Sequence, residues 1–137
     1  MEKVGEHITL DIVGTKKEYT PEFYEKLVYK IAKAAKVTVL KISKYKFEPQ
    51  GFTLVALLAE SHISFHTFPE KEIVSFDFFT CGKVSPKVSL DIIKDEMEHT
   101  NIIIKEFNRD TIDLYHDNYS SPCLLYTSPS PRDGLLS

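Results

Sequence analysis

Four strand-like segments follow one another between two helix starts, and this order restricts the fold more than any other feature. Each helix start pairs a hydroxyl residue with a proline, at Thr20-Pro21 and at Ser85-Pro86. The hydroxyl oxygen accepts a hydrogen bond from an otherwise unpaired backbone amide of the first turn, and the proline stands at a position where no N–H is needed. Residues 37–80 are rich in β-branched and aromatic residues and are divided by short turns. Because strands joined by short turns pair with one another, an antiparallel sheet is expected.

The whole pattern predicts an α+β two-layer sandwich. The expected strands are residues 7–13, 37–47, 53–59, 61–67, 73–80 and 101–107. Apolar residues recur at helical spacing after each helix start, at Phe23, Leu27, Ile31 and Ala35 and then at Leu90, Ile93 and Met97. With both helices on one face of a mainly antiparallel sheet, the other face would be bare. We therefore expect a homodimer in which two sheets meet face to face.

Composition narrows the class of protein and of partner. The chain has 42% hydrophobic and 27% charged residues, which is typical of a globular protein. Its net charge is −3 and no cluster of Lys and Arg stands out, so a small-molecule substrate is expected rather than a nucleic acid. No apolar run is long enough for a bilayer and no signal-peptide pattern is present, which favours a cytoplasmic protein without membrane contact. Two distant cysteines do not make a disulfide framework, so Cys81 is expected to be a free thiol.

The sequence divides into one domain and a tail. Residues 1–119 are expected to form the domain, and residues 120–137 are proline-rich and without strand or helix period. Two interpretations of the tail are open: an ordinary disordered end, or translated library-preparation adapter sequence from about Cys123 onwards. Under both, Cys123 carries no chemistry.

The reactive residues are concentrated in one stretch. Residues 60–70 read ESHISFHTFPE and residues 79–82 read FTCG. This places a hydroxyl nucleophile, two imidazoles, two carboxylates and a thiol close together in the sequence. A strand-rich core does not require so many reactive side chains. The stretch indicates an active site.

These two motifs resemble the small prokaryotic S-adenosylmethionine decarboxylases, and the resemblance extends from about Val4 to Arg109. It implies a self-cleaving enzyme in which the Ser61 hydroxyl attacks the carbonyl of Glu60, dividing the chain into residues 1–60 and 61 to the end. Ser61 would become a covalent pyruvoyl cofactor, whose ketone forms a Schiff base with the substrate amine. The implied product is the decarboxylated aminopropyl donor for polyamine (spermidine) synthesis, and the family is also dimeric.

The resemblance assigns roles to further residues. His66 is the expected acceptor of the serine α-proton during processing, and Cys81 the expected proton donor during decarboxylation. Thr53 stands where the family has a serine hydroxyl that assists processing; threonine keeps the hydroxyl but has a stiffer rotamer. His62, directly after the cleavage point, is expected at most to orient the new terminus.

Substrate binding is implied for three residues. Phe47 and Ile63 would stack on either side of the adenine, and Glu70 would contact the ribose or the substrate. Phe68, where the family commonly has tryptophan, and residues 71–73 depart from the family pattern beside the expected pocket. The self-processing inference is therefore firmer than the substrate inference.

Other functions stay open at this point. The same scaffold could serve a pyruvoyl-dependent arginine or ornithine decarboxylase, or a non-catalytic paralogue that only dimerises. A cysteine hydrolase using Cys81 and His66 would leave Glu60-Ser61 unexplained. Zinc held by His62, His66 and Cys81 would lack a fourth ligand at a recognisable spacing, so no metal is expected.

Overall fold

The computed structural model describes residues 3–110, with side chains from residue 4 to residue 109. Its elements are β1 (Lys3–Val13), α1 (Pro21–Ala35), β2 (Val39–Lys46), β3 (Phe52–Leu58), β4 (Ser61–Phe68), β5 (Ile73–Thr80), α2 (Val88–Glu96) and β6 (Asn101–Asp110). The predicted tail at 120–137, the predicted domain end at 119 and Cys123 lie outside the described residues.

All six strands form one antiparallel sheet in the order β2-β3-β4-β5-β1-β6. The four strands predicted between the helices pair in chain order, because their turns are short. The first strand, β1, pairs with β5 on one side and with the last strand, β6, on the other. The predicted α+β class with a mainly antiparallel sheet and two helices is confirmed.

The first helix begins as the sequence predicts. The Oγ1 of Thr20 accepts a hydrogen bond from the amide of Phe23 at 3.1 Å, and Pro21 is the first helical residue. The helix ends at Lys36, which adopts the left-handed conformation (φ 58°) and donates its N–H to the carbonyls of the last turn. The buried aromatic of the first turn is Tyr24, and Phe23 is only partly buried.

The second helix begins two residues later than Ser85-Pro86 predicts. The Ser85 Oγ accepts from the Lys87 amide at 3.2 Å, so it caps a turn rather than the helix itself. The amides of Ser89 and Leu90 bond to carbonyls three residues back, in the tight 3-10 manner that often precedes an α-helix. The predicted Ile93 and Met97 are buried, and Leu90 is partly buried.

The core lies between the helices and one face of the sheet. Alternate residues of β1 (Ile8, Leu10, Ile12), β3 (Leu54, Ala56), β4 (Ile63, Phe65) and β5 (Phe76, Phe78) are at most 1% exposed there. Neither α-helix within residues 3–110 is long and apolar enough to cross a bilayer.

The other face of the sheet is not covered by any part of the described chain; we call it the open face. Its central residues are His7, Thr9 and Asp11 on β1, Thr53, Val55 and Leu57 on β3, His62, Ser64 and His66 on β4, and Ser75, Asp77 and Phe79 on β5. Large apolar side chains on it are strongly exposed, including Leu57 at 52% and Phe107 at 50%. The bare face that the sequence predicts is therefore present, and the homodimer stays a prediction.

Candidate active site

The Glu60–Ser61 peptide lies in the two-residue turn between β3 and β4. The turn is tied to the start of β2, because the amide of Ala59 donates to the Thr38 carbonyl at 2.9 Å and the Glu60 carboxylate accepts from the Thr38 amide at 3.1 Å. Ser61 has φ 155°, a value that few residues other than glycine adopt. The predicted cleavage point therefore lies in a fixed turn with an unusual backbone conformation.

The carbonyl of Glu60 is directed toward Cys81. The Cys81 amide donates to the Glu60 carbonyl oxygen at 3.2 Å, and the Cys81 Sγ lies 3.2 Å from the same oxygen. A backbone N–H at this position stabilises negative charge that develops on the oxygen when the carbonyl is attacked. The arrangement gives the predicted scissile carbonyl one preformed oxyanion donor.

The backbone around Cys81 is fixed by its neighbours. Thr80 is 1% exposed at the end of β5, and its Oγ1 accepts from the Gly82 amide at 2.9 Å. A Cβ on Gly82 would lie 3.2 Å from that Oγ1, so the glycine permits a close approach. The FTCG motif thus sets the direction of the Cys81 amide.

The sequence expectation of a free Cys81 thiol is wrong in this structure. Cys81 is disulfide-bonded, and no cysteine in the described residues is a free thiol. The chain's other cysteine is Cys123, outside the described residues. In the disulfide form Cys81 has no thiol proton to donate.

His66 lies against Thr53. The two residues face each other across β3 and β4, and the Thr53 Oγ1 is 3.0 Å from the His66 Nδ1. Both side chains are half-buried on the open face. The Thr53 hydroxyl is therefore in hydrogen-bond contact with the His66 imidazole, and its part in processing stays a prediction.

His66 and Ser61 are not brought together within one protomer. Both lie on β4, five residues apart in an extended strand, which corresponds to about 16 Å between their Cα atoms. An imidazole does not bridge that distance to take a proton from Ser61. The sequence motif places the two residues close in the chain, and the strand then separates them.

The predicted substrate residues lie with His66, except for one. Phe47, 46% exposed, follows β2 and has its ring centroid 4.8 Å from that of Tyr45. Glu70 is exposed in a short 3-10 turn at Pro69–Lys71, 3.5 Å from the Gln50 amide nitrogen. Ile63 is 0% exposed in the helix-covered core. Strand alternation turns its side chain away from the open face, and its stacking on an adenine stays a prediction.

The predicted residues therefore form two groups at opposite ends of β4. We call them the Ser61 end (Glu60, Ser61, Cys81) and the His66 end (Phe47, Thr53, His66, Glu70). Each end holds part of the chemistry that the motifs predict, and neither holds all of it.

A cavity of about 270 Å³ lies on the open face beside the His66 end. It is lined by Asp11, Val13, Phe68, Lys71, Ile73, Ser75 and Ile103. Three of these, Phe68, Lys71 and Ile73, are positions where the sequence departs from the family pattern. A second cleft, of about 480 Å³, lies beside the loop before α1 and contains none of the predicted site residues.

Sequence reasoning missed a cluster on the open face formed by His7, His62 and Asp77. The His62 Nε2 lies 3.0 Å from one Asp77 oxygen, and the His7 Nε2 bonds to the other. Burial raises the pKa of Asp77, but the hydrogen bonds from His62 and His7 outweigh it and hold the pKa below its usual range. Only the strand register, which brings β1 and β4 to either side of β5, could have indicated the cluster.

Comparison with known proteins gives one consistent family. Residues 6–110 match the family described as S-adenosylmethionine decarboxylase. The S-adenosylmethionine decarboxylase proenzyme of Methanococcus vannielii is 35% identical over 117 residues, which cover 83% of this chain and 96% of the relative. The corresponding proenzyme of a Synechococcus species is 38% identical, with 79% and 87% covered.

A solved structure agrees in fold. The crystal structure of the adenosylmethionine decarboxylase from Aquifex aeolicus superposes with a TM-score of 0.73 at 32% identity, covering 82% of this chain and 96% of that one. This chain belongs to the S-adenosylmethionine decarboxylase family.

Proposed function

We propose that this protein is a self-processing, pyruvoyl-dependent decarboxylase that converts S-adenosylmethionine to the aminopropyl donor for polyamine synthesis. The observation that carries the proposal is the contact between the Cys81 amide and the carbonyl of Glu60, the residue directly before Ser61. Family membership supports the substrate, since the relatives described above are named for it.

The residues present fit the formation of a pyruvoyl group at position 61. A serine follows a carbonyl that is already hydrogen-bonded to an N–H donor, in a turn whose backbone is fixed on both sides. Once formed, a pyruvoyl group supplies a ketone that binds the substrate amine and a carbonyl that accepts the electrons released with carbon dioxide.

The proposed processing has three steps. The Ser61 oxygen bonds to the Glu60 carbonyl carbon, the hydroxyl proton moves to the Ser61 nitrogen and the peptide C–N bond breaks, which gives an ester and a free amine. Removal of the Ser61 α-proton by an imidazole then breaks the Cβ–O bond and releases the Glu60 carboxylate. The dehydroalanine left at position 61 reacts with water and loses ammonia. The Cys81 amide stabilises the oxyanion of the first step, an effect of about 10²- to 10³-fold in rate.

We propose that the imidazole in the second step is His66 of a partner subunit. The Cα atoms of His66 and Ser61 are about 16 Å apart within the protomer. In a dimer whose two-fold axis lies between two open faces and runs across the strands, the His66 end of one chain would lie against the Ser61 end of the other. The apolar side chains exposed on this face, such as Val55 and Leu57, favour such a contact. Thr53 of the partner subunit would orient the imidazole through the hydrogen bond seen here.

Cys81 is proposed to return a proton to the substrate α-carbon. Its sulfur lies beside the carbonyl of the residue that precedes position 61, so it is close to the reacting atoms. This role requires the reduced thiol, and we therefore propose that the disulfide form is inactive in turnover. The cytoplasmic location expected from the sequence stays a prediction.

The test of substrate is the release of labelled carbon dioxide by the purified, reduced protein. S-Adenosylmethionine should be turned over, with arginine and ornithine as comparison substrates. Faster release from either amino acid would overturn the substrate assignment but leave self-processing intact. No observation on the cavity at the His66 end favours those amino acids.

A further inference from the structure

We propose that His7, His62 and Asp77 bind one divalent transition-metal ion of the zinc class on the open face. The set differs from His62, His66 and Cys81, which lack a fourth ligand at a recognisable spacing, because it draws its ligands from three neighbouring strands. It has no part in the decarboxylation argued above.

The strand register brings the three side chains together. His7 on β1 and His62 on β4 both pair with Phe79 of β5, and Asp77 lies two residues along β5 on the same face. The imidazoles thus approach Asp77 from opposite sides. One ligand atom from each residue lies within 4.8 Å of the other two.

The donor set has the chemistry of a zinc site. Two imidazole nitrogens and one carboxylate oxygen are ligands that Zn²⁺ prefers, and three protein ligands leave a fourth position for water. The side chains of His7, His62 and Asp77 are 23%, 40% and 29% exposed in a single protomer, so an ion can reach them before two open faces meet. The two imidazoles hydrogen-bond to the two oxygens of Asp77, so the three donor groups already converge on one point.

The surroundings orient the ligands. The Ser64 Oγ lies 3.4 Å from an Asp77 oxygen and can hold the carboxylate as an outer partner. The Phe79 ring contacts both imidazoles, with centroid distances of 5.6 Å and 6.1 Å. The Arg109 guanidinium is 4.9 Å from the Phe79 ring centroid, and Lys105 of β6 lies across Thr9 from Asp77 on the same face. The described contacts of Asp77 are with the imidazoles and Ser64.

The site would join the two fragments of the processed chain, a consequence that rests on the proposed function. Cleavage after Glu60 leaves His7 in the N-terminal fragment and His62 with Asp77 in the C-terminal one. An ion bound to all three would tie β1 to β4 through β5, one residue from the new chain end. Metal binding itself does not depend on cleavage.

The test is titration of tag-free, chelator-treated protein with Zn²⁺ by calorimetry and with Co²⁺ by visible absorption. The background carries Cys81→Ser and Cys123→Ser, so that thiolates do not contribute. Asp77→Asn keeps the shape of the side chain but removes its charge and one of its two acceptor oxygens, and His7→Ala removes one imidazole. His99→Ala, an imidazole bonded to the Met97 carbonyl, is the matched control. Circular dichroism checks the fold of each variant.

We expect one ion per chain, the visible bands of tetrahedral Co²⁺, and affinity at least about tenfold weaker in Asp77→Asn and His7→Ala than in His99→Ala. Zn²⁺ should also raise the melting temperature of the parent protein but not of Asp77→Asn. Equal affinity in Asp77→Asn and the parent, or no binding to the parent, overturns the proposal. Ser61→Ala, which cannot process, should bind equally; its failure to cleave tests the proposed function separately.

Discussion

The backbone amide of Cys81 donates to the carbonyl oxygen of Glu60 at 3.2 Å, and this contact joins the two sequence motifs of the chain. It holds the end of β5 against the turn that contains Ser61. A carbonyl held in this way is polarised before any attack. The N–H donor does not have to reorient when negative charge develops on the oxygen. The two motifs are therefore one structural unit at the Ser61 end.

The separation of Ser61 and His66 predicts complementation between subunits. His66→Ala alone should process about 10²- to 10⁴-fold more slowly, because the α-proton acceptor is lost. When His66→Ala is co-expressed with Ser61→Ala, the second chain should supply the missing imidazole. Mass spectrometry should then find the His66→Ala chain cut and the Ser61→Ala chain whole. Mixed dimers, verified by native mass spectrometry, that stay entirely uncut would refute a shared site.

Replacing Cys81 with serine should reduce turnover more than processing. The backbone amide of residue 81 remains in the variant and can still stabilise the oxyanion of the first processing step. The thiol that returns a proton to the substrate α-carbon is lost. We expect a mostly cleaved protein whose kcat falls by at least about 10²-fold. Cys123→Ser is the control, and it should turn over substrate without added reductant. If Cys81→Ser retains full kcat, Cys81 is not the proton donor.

Charge on the open face should prevent dimerisation. Leu57 is 52% exposed, so Leu57→Lys should change the free energy of unfolding of a monomer by no more than about 0.5 kcal/mol. In a face-to-face dimer the same charge would be buried and unpaired. Analytical ultracentrifugation should show a shift to monomer. Tyr29→Lys, at a residue 55% exposed on α1, should leave the dimer intact; dimers of unchanged affinity in Leu57→Lys would place the interface elsewhere.

Tyr24 should make the protein less stable at alkaline pH. Burial, followed by the charges of Tyr19 and Glu18, raises the pKa of Tyr24 above its ordinary value of 10.0. The unfolded chain then loses this proton before the folded protein does, so stability is full below pH 10.0 and falls as pH rises further, by up to about 1.4 kcal/mol per pH unit. In Tyr24→Phe the free energy of unfolding, measured in urea, should fall less steeply as pH rises above 10.0. The exposed Tyr29→Phe serves as control, and parallel curves for Tyr24→Phe and wild type would disprove the effect.

The sequence predicts the fold well where local signals agree with the tertiary structure. The Thr20-Pro21 cap and the apolar alternation of the strands place most elements within a few residues. Ser85-Pro86 predicts a start of α2 that is two residues too early, because the Ser85 hydroxyl caps a turn that precedes the helix. Such turns depend on the local backbone path, which residue type alone does not determine.

The site is less predictable because motif neighbours are not spatial neighbours. An extended strand carries His66 about 16 Å from Ser61, and alternation turns Ile63 into the core. The cluster of His7, His62 and Asp77 depends on the register of three strands, of which β1 is far away in the sequence. No spacing rule within one segment reveals such a contact.

The intact mass of the purified protein under denaturing conditions tests self-processing most directly. The wild-type chain should give two fragments divided between Glu60 and Ser61, with the C-terminal fragment carrying a pyruvoyl group in place of serine. Ser61→Ala should give one uncut chain, while Ser43→Ala, at an exposed serine of β2, should be cut like wild type. An uncut wild-type chain of 15.7 kDa, or cleavage at the same bond in Ser61→Ala, would contradict the account.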